Sequence, residues 1–225
     1  MISFRYKKLF SLTAWSTALV LMIPVLVMLW AGVSASSELL VSLWQSVLPE
    51  YIINTLLLGF MVSVLALIFG VISAAIITQT NVVGKSILRW LLLLPLAMPA
   101  YLVAYLYTDL FDYAGPVQRA LRAYFAWQSP YDYWFFDIRT LPGAAVILAL
   151  VLFPYVYMLA RTAFEHQDQH LFDASHSLGF SARKTFFVIA LPLARPAIAV
   201  AVTLVLMETL ADFATVQYFA VNTLT

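Results

Sequence analysis

Long stretches of this chain carry no charge. Residues 9–37, 51–84, 90–108 and 140–160 hold no Lys, Arg, Asp or Glu; 196–207 is equally bare until Glu208 and Asp212, and 213–225 is uncharged again. About 20 predominantly apolar residues suffice for a helix to cross the hydrocarbon core of a bilayer. The stretches therefore predict five spans, at 12–33, 52–78, 89–110, 142–163 and 196–218. Composition points the same way. Hydrophobic residues make up 64% of the chain and charged ones 10%, against about 25% charged in an ordinary soluble domain. A water-soluble enzyme domain could not bury that much apolar surface, and a disordered chain would not carry it. The expected fold class is an all-α membrane protein, a polytopic helical bundle with about five transmembrane helices.

Other classes fall away on simple counts. Twelve Lys and Arg against 11 Asp and Glu leave no basic face for a nucleic acid. The absence of cysteine removes disulfides, thiolate metal sites and cysteine nucleophiles together. The first apolar run is longer than the core of a cleavable signal peptide and contains Pro24, so it reads as a signal anchor. With a cytoplasmic N-terminus, nine of the 12 basic residues fall inside and three outside, which is the orientation the positive-inside bias favours. Pro95 and Pro99 in the third span and Pro154 in the fourth each remove a backbone donor and bend a helix. Neighbouring helices can repair such kinks, and a hinge along a translocation path is the functional alternative.

The cytoplasmic connection 164–195 is the richest in local signals. Leu171, Ala174 and Leu178 stand at i, i+3 and i+7 and predict a short helix. Gly179 suits the left-handed position that ends a helix, Phe180 follows as a large apolar side chain on the turn, and Ser181 can cap a second helix. The body of that helix, 182–190, runs to Leu191-Pro192. Two short helices joined at a glycine would make a cytoplasmic knob able to enter a groove of another protein.

This connection resembles one in the permease subunits of bacterial ABC importers. There a cytoplasmic loop reads Glu-Ala-Ala, three residues, Gly, nine residues, Ile, one residue, Leu-Pro. Here Asp173-Ala174-Ser175 is followed by Gly179, Ile189 and Leu191-Pro192 at the same spacing, with Asp173 in place of Glu and Ser175 in place of Ala. The resemblance implies that the loop is a coupling helix, with residues 173–181, including Phe180 and Ser181, docking onto an ABC ATPase dimer. It also implies a periplasmic solute-binding protein, a bacterial inner-membrane location and alternating access between inward- and outward-open states. No phosphate-loop motif occurs in the chain, so the chain itself has no cofactor and ATP and Mg would be bound by the partner ATPase. The subunit itself is expected not to be an enzyme.

Two further runs narrow the resemblance. Leu92-Leu93-Leu94-Pro95-Leu96-Ala97-Met98-Pro99-Ala100-Tyr101 and the run from Leu206 to Phe219, Leu-Met-Glu-Thr-Leu-Ala-Asp-Phe-Ala-Thr-Val-Gln-Tyr-Phe, look like the corresponding segments of ferric-iron importer permeases. Those permeases typically fuse two such halves. The chain, which stops without a basic anchor, is therefore expected to be a single permease domain over 1–225, most of a first half whose second half lies in the same chain or a separate subunit. Thiamine, sulfate and polyamine permeases share the loop and remain alternatives.

Four residues outside the loop are candidate site residues. Glu208 and Asp212 are four apart and expected on one face of a helix. Each mid-bilayer carboxylate costs about 2.5–3.5 kcal/mol, so both should face a bundle interior or a wet path, where their hard oxygens suit a hard cation such as ferric iron. A structural pairing near the outer interface is the alternative, and an ion-coupled secondary transporter or channel using the same two residues is the competing function. In the outer loop 111–141, Gly115-Pro116 opens a helix whose apolar face is expected to be Val117, Ala120, Leu121, Tyr124 and Phe125. Gln118, Arg119 and Arg122 take the other face, and an aromatic run follows over 127–136. This reads as an interfacial helix with an aromatic belt, or as a contact for the binding protein through Arg119 and Arg122. His166 and His170, with Asp173 following, have a spacing that could hold a metal on a helix; no third ligand is fixed, and they read as a solvated polar turn, so no metal site is assigned.

Overall fold

The structure, a computed structural model, describes residues 2–34, 37–129 and 131–224. The side chains of Arg5, Lys7 and Lys8, which contribute to the expected orientation, lie outside the described ones, as does Pro130 within the aromatic run. The described residues contain helices and no strand. The chain divides into two compact units, 1–49 and 50–225. The first holds α1 (Ile2–Val33), with Pro24 inside it, and the short α2 (Ser37–Ser46).

The second unit carries almost all of α3 (Leu48–Gln79), then α4 (Lys85–Leu91), α5 (Ala100–Phe111), α6 (Pro116–Phe125), α7 (Leu141–Glu165), α8 (Gln169–Ser177), α9 (Ala182–Thr185), α10 (Leu191–Ala211) and α11 (Phe213–Tyr218). Its centre is α7, which buries residues on every side, from Ala144 and Ala145 through Leu148, Ala149 and Val156 to Ala160. Small side chains let neighbours approach closely, as expected where packing rather than water drives helix association. Ala66 and Ala74 of α3 and Ala194 and Ala201 of α10 are fully buried in the same core. Gly70 of α3 marks the tightest approach: a Cβ there would lie 2.5 Å from Cβ of Val156 and 2.9 Å from the backbone nitrogen of Tyr157. Pro154 sits buried inside α7 without ending it.

Four described helices are long and apolar enough to cross a membrane: Thr13–Gly32, Leu48–Gln79, Leu141–Glu165 and Ala182–Ala211. A bent pair, Lys85–Ala97 with Ala100–Phe125, makes a fifth span if taken as one. Two expected spans are thereby corrected. The third is not a continuous helix over 89–110. It breaks after Leu91, passes through a 3-10 turn at Leu94–Ala97 and turns by 95° at Met98-Pro99. Pro95 and Pro99 account for this, because neither can donate to the preceding turn and Pro99 disfavours the helical conformation at the residue before it. Met98 is accordingly extended, with φ −109° and ψ 131°. The fifth span starts and stops earlier than 196–218. The second helix of the 164–195 knob does not end at Leu191-Pro192 but runs through a π-helical turn, Phe186–Ala190, directly into α10, and the rod ends at Ala211.

Candidate functional site

The knob over 164–195 is built by capping. Asp168 opens α8, its side chain accepting from the backbone of His170 at 2.9 Å. Gly179 closes it with φ +79°, donating to the His176 carbonyl at 2.9 Å while Phe180 donates to Ser175 at 3.0 Å. This pair of bonds is the Schellman closure, which needs a residue at positive φ. Ser181 then caps α9, accepting from the Lys184 backbone at 3.4 Å. Ser175, where the family pattern has Ala, is buried: its hydroxyl donates to the Phe172 carbonyl at 2.8 Å and lies 2.9 Å from the Thr185 hydroxyl. Gln167 donates to the Ala190 carbonyl at 2.8 Å, tying the end of α7 to the π-helical turn.

The knob's outward surface is Asp173, Ala174, Leu178 and Ser181, all exposed, with Leu178 75% exposed. Phe180 is half-buried beneath the Lys184 ammonium, 3.9 Å from its ring centroid. Ile189, Leu191 and Pro192 are half-buried along the turn that leads into α10. Leu178 is thus an exposed apolar side chain beside a turn whose backbone groups are hydrogen-bonded within the knob. His166 and His170 do not share a helix: His166 caps the end of α7 and His170 lies in α8. Among the described residues no group of three or more metal-ligating side chains occurs.

A cavity of about 500 Å³ lies against the break in the third span, lined by Leu96, Met98 and Ala100, by Val151, Leu152 and Tyr155 from the middle of α7, and by Glu208, Ala211, Asp212, Phe213 and Ala214. Glu208 and Asp212 thus meet in one cavity, but not as two residues of one helix face. α10 ends at Ala211, and Asp212 after it turns to φ −84° and ψ 88°. Its carboxylate caps α11, accepting from the Thr215 backbone at 2.9 Å and from the Thr215 hydroxyl at 2.7 Å. Glu208 makes no hydrogen bond or ion pair among the described residues and is exposed. No Lys or Arg lines the cavity. Tyr155, Leu96 and Met98 gave no signal of this role in the sequence beyond the two prolines, whose spacing marked the break that brings them here.

The loop 111–141 is organised around α6. Gln118 is the buried residue of α6 and Arg122 is half-buried, whereas Tyr124 and Phe125 are 83% and 52% exposed. Gln118 and Arg122 turn inward, where they have partners. Gln118 donates to the Phe111 carbonyl at 2.8 Å and accepts from the Tyr133 hydroxyl at 2.6 Å; Arg122 donates to that same hydroxyl at 3.0 Å and stacks 4.0 Å over the Tyr113 ring. Arg119 is exposed. Rings of Phe125, Trp127 and Tyr133 stack in series at 4.6 and 4.5 Å.

The helical arrangement is that of an ABC-transporter membrane subunit. It matches a bacterial ABC transporter involved in the import of the acidic polysaccharide alginate with a TM-score of 0.72, at 16% identity, over 97% of this chain and 82% of that one. At that identity the likeness establishes the fold. The sequence establishes the family: residues 66–225 match the binding-protein-dependent transport system inner membrane component, and the chain belongs to that family. Among its relatives, the molybdenum transport system permease protein ModB of Escherichia coli is 28% identical over 179 residues, covering 80% of this chain and 72% of the relative. The sulfate transport system permease protein CysT of Escherichia coli is 28% identical over 171 residues, 75% of this chain and 57% of the relative. A Haemophilus influenzae protein named "Putative ferric transport system permease protein FbpB 1" is 27% identical over 183 residues, 80% of this chain but 28% of the relative.

Proposed function

We propose that this permease, a single transmembrane domain over 1–225 with a cytoplasmic N-terminus, passes a hard cation, ferric iron, from a periplasmic binding protein to the cytoplasm by alternating access. The knob over 164–195 is its coupling loop to an ABC ATPase dimer that binds ATP and Mg. A second permease half completes the path. The relatives' names divide between oxyanions and iron. One observation carries the choice: the cavity at the broken span holds two carboxylates and no basic side chain. Its acidic lining repels molybdate and sulfate and attracts a cation, and carboxylate oxygens are hard ligands. A carboxylate as exposed as Glu208 cannot face lipid without a cost of about 2.5–3.5 kcal/mol, which favours a protein-lined wet path in front of it.

The test is uptake into proteoliposomes that contain the full transporter, its ATPase and its binding protein, with ferric iron, molybdate and sulfate offered in parallel. ATP-dependent accumulation of iron that survives a protonophore is expected. Accumulation of either oxyanion in its place overturns the cation assignment, and uptake that collapses with the proton gradient overturns the ATP-driven one.

A further inference from the structure

Arg89 and Glu165 join two parts of the molecule that the family pattern does not connect. The Arg89 guanidinium lies 3.2 Å from Oε1 of Glu165, and Nε of Arg161 lies 3.4 Å from the same oxygen. Beneath them the fully buried Tyr157 donates its hydroxyl to the Arg89 carbonyl at 3.4 Å and accepts from Arg161 at 3.5 Å. Arg89 is thus held to α7 by side chain and backbone together. The side chains of Arg89, Arg161 and Glu165 remain 41%, 25% and 31% exposed, a degree of exposure at which ion pairs add little to stability. Their value lies in position.

On one side of the cluster, Glu165 is the last residue of α7, two before Gln167, which bonds the Ala190 carbonyl, and three before Asp168, which caps α8. Glu165 also shares a second cavity, of about 470 Å³, with Gln167, Gln169, Phe172, His176 and Thr185 of the coupling loop. On the other side, Arg89 belongs to α4, and the chain that follows reaches Leu96 and Met98, two walls of the acidic cavity. The contact therefore lies between the loop and the cavity wall.

We infer that Glu165 is a positioning residue: through Arg89 it transmits movement of the coupling loop to the broken span that walls the acidic cavity. The inference rests on the permease reading above. Coupling carried by a chain of contacts has to be shown by perturbing the contact itself, and the absence of cysteine from the chain supplies a clean reporter. In the assembled transporter with its ATPase, Met98→Cys is labelled with a membrane-impermeant methanethiosulfonate reagent with and without ATP and vanadate. This readout needs no knowledge of the cargo.

Nucleotide is expected to change the labelling rate several-fold when Glu165 is present. With Glu165→Gln, ATP hydrolysis continues and the labelling rate no longer responds. The exchange Arg89→Glu with Glu165→Arg, which restores opposite charges and leaves Arg161 an acidic partner, recovers at least half the response; it also replaces Glu165→Gln as the informative variant if that one fails to assemble. A full nucleotide response in Glu165→Gln overturns the inference, and so does an assembled charge exchange that hydrolyses ATP without any response. If labelling ignores nucleotide even with Glu165 and Arg89 intact, the ATP-driven reading falls first and this inference falls with it.

Discussion

The hydroxyls of Ser175 and Thr185 lie 2.9 Å apart in a buried contact that pins the two arms of the knob together. Ser175→Ala restores the small residue of the family pattern but leaves the Thr185 hydroxyl buried without that partner. The expected cost is about 1–3 kcal/mol, the penalty for an unsatisfied buried polar group. Adding Thr185→Val should return most of it. Thermal unfolding of the four proteins in detergent, analysed as a double-mutant cycle, measures the coupling; additive losses would show that the pair contributes nothing jointly.

Gly179 holds a left-handed conformation with open space where a side chain would go. Substitution is therefore governed by backbone strain and not by collision. Gly179→Ala should cost about 1–2 kcal/mol, and Gly179→Asn should cost less, since Asn visits this conformation more readily. Equal losses for the two, read by unfolding midpoint, would contradict that account.

The two carboxylates in the cavity should separate in their effects. Asp212→Ala removes the cap of α11 and should lower stability by about 0.5–2 kcal/mol, while Asp212→Asn keeps most of the cap. Glu208→Gln should leave the unfolding midpoint within error but reduce ferric uptake by about tenfold, the loss of one charge-assisted contact. Measuring unfolding and initial uptake rate on the same preparations distinguishes a structural carboxylate from one on the path.

The two arginines of α6 divide likewise. Arg122 is bound to Tyr133 and stacked on Tyr113, so Arg122→Ala should destabilise by about 1–2 kcal/mol. Arg119 is exposed, so Arg119→Glu should leave stability intact and slow association of the binding protein roughly two- to tenfold, with the difference shrinking at high salt. Surface plasmon resonance at two ionic strengths reads both the rate and its salt dependence.

Much of this was legible in the residues. Uncharged runs located the long helices, because a charge inside a lipid-facing helix is costly enough to leave a mark on composition. The turn at Gly179 was legible because a left-handed helix end demands glycine. What the sequence hid were outcomes decided by neighbours. Leu191-Pro192 looks like a stop, yet the preceding π-helical turn accommodates the proline and the rod continues into α10. Gln118 looks like solvent-facing polarity, yet the Phe111 carbonyl and the Tyr133 hydroxyl draw it inward. Glu208 and Asp212 were expected on one helix face; they meet in a cavity because Asp212 leaves the helix to cap the next. The link from Glu165 to Arg89 spans a sequence separation that no local pattern records.

At Gly70 the backbones of α3 and α7 come so near each other that a single methyl group would not fit between them. Two rods in that relation cannot slip past one another by a turn, so they answer a push as one strut. That strut also walls the acidic hollow, through Val151, Leu152 and Tyr155, between the bend around Met98-Pro99 and the corner at Asp212.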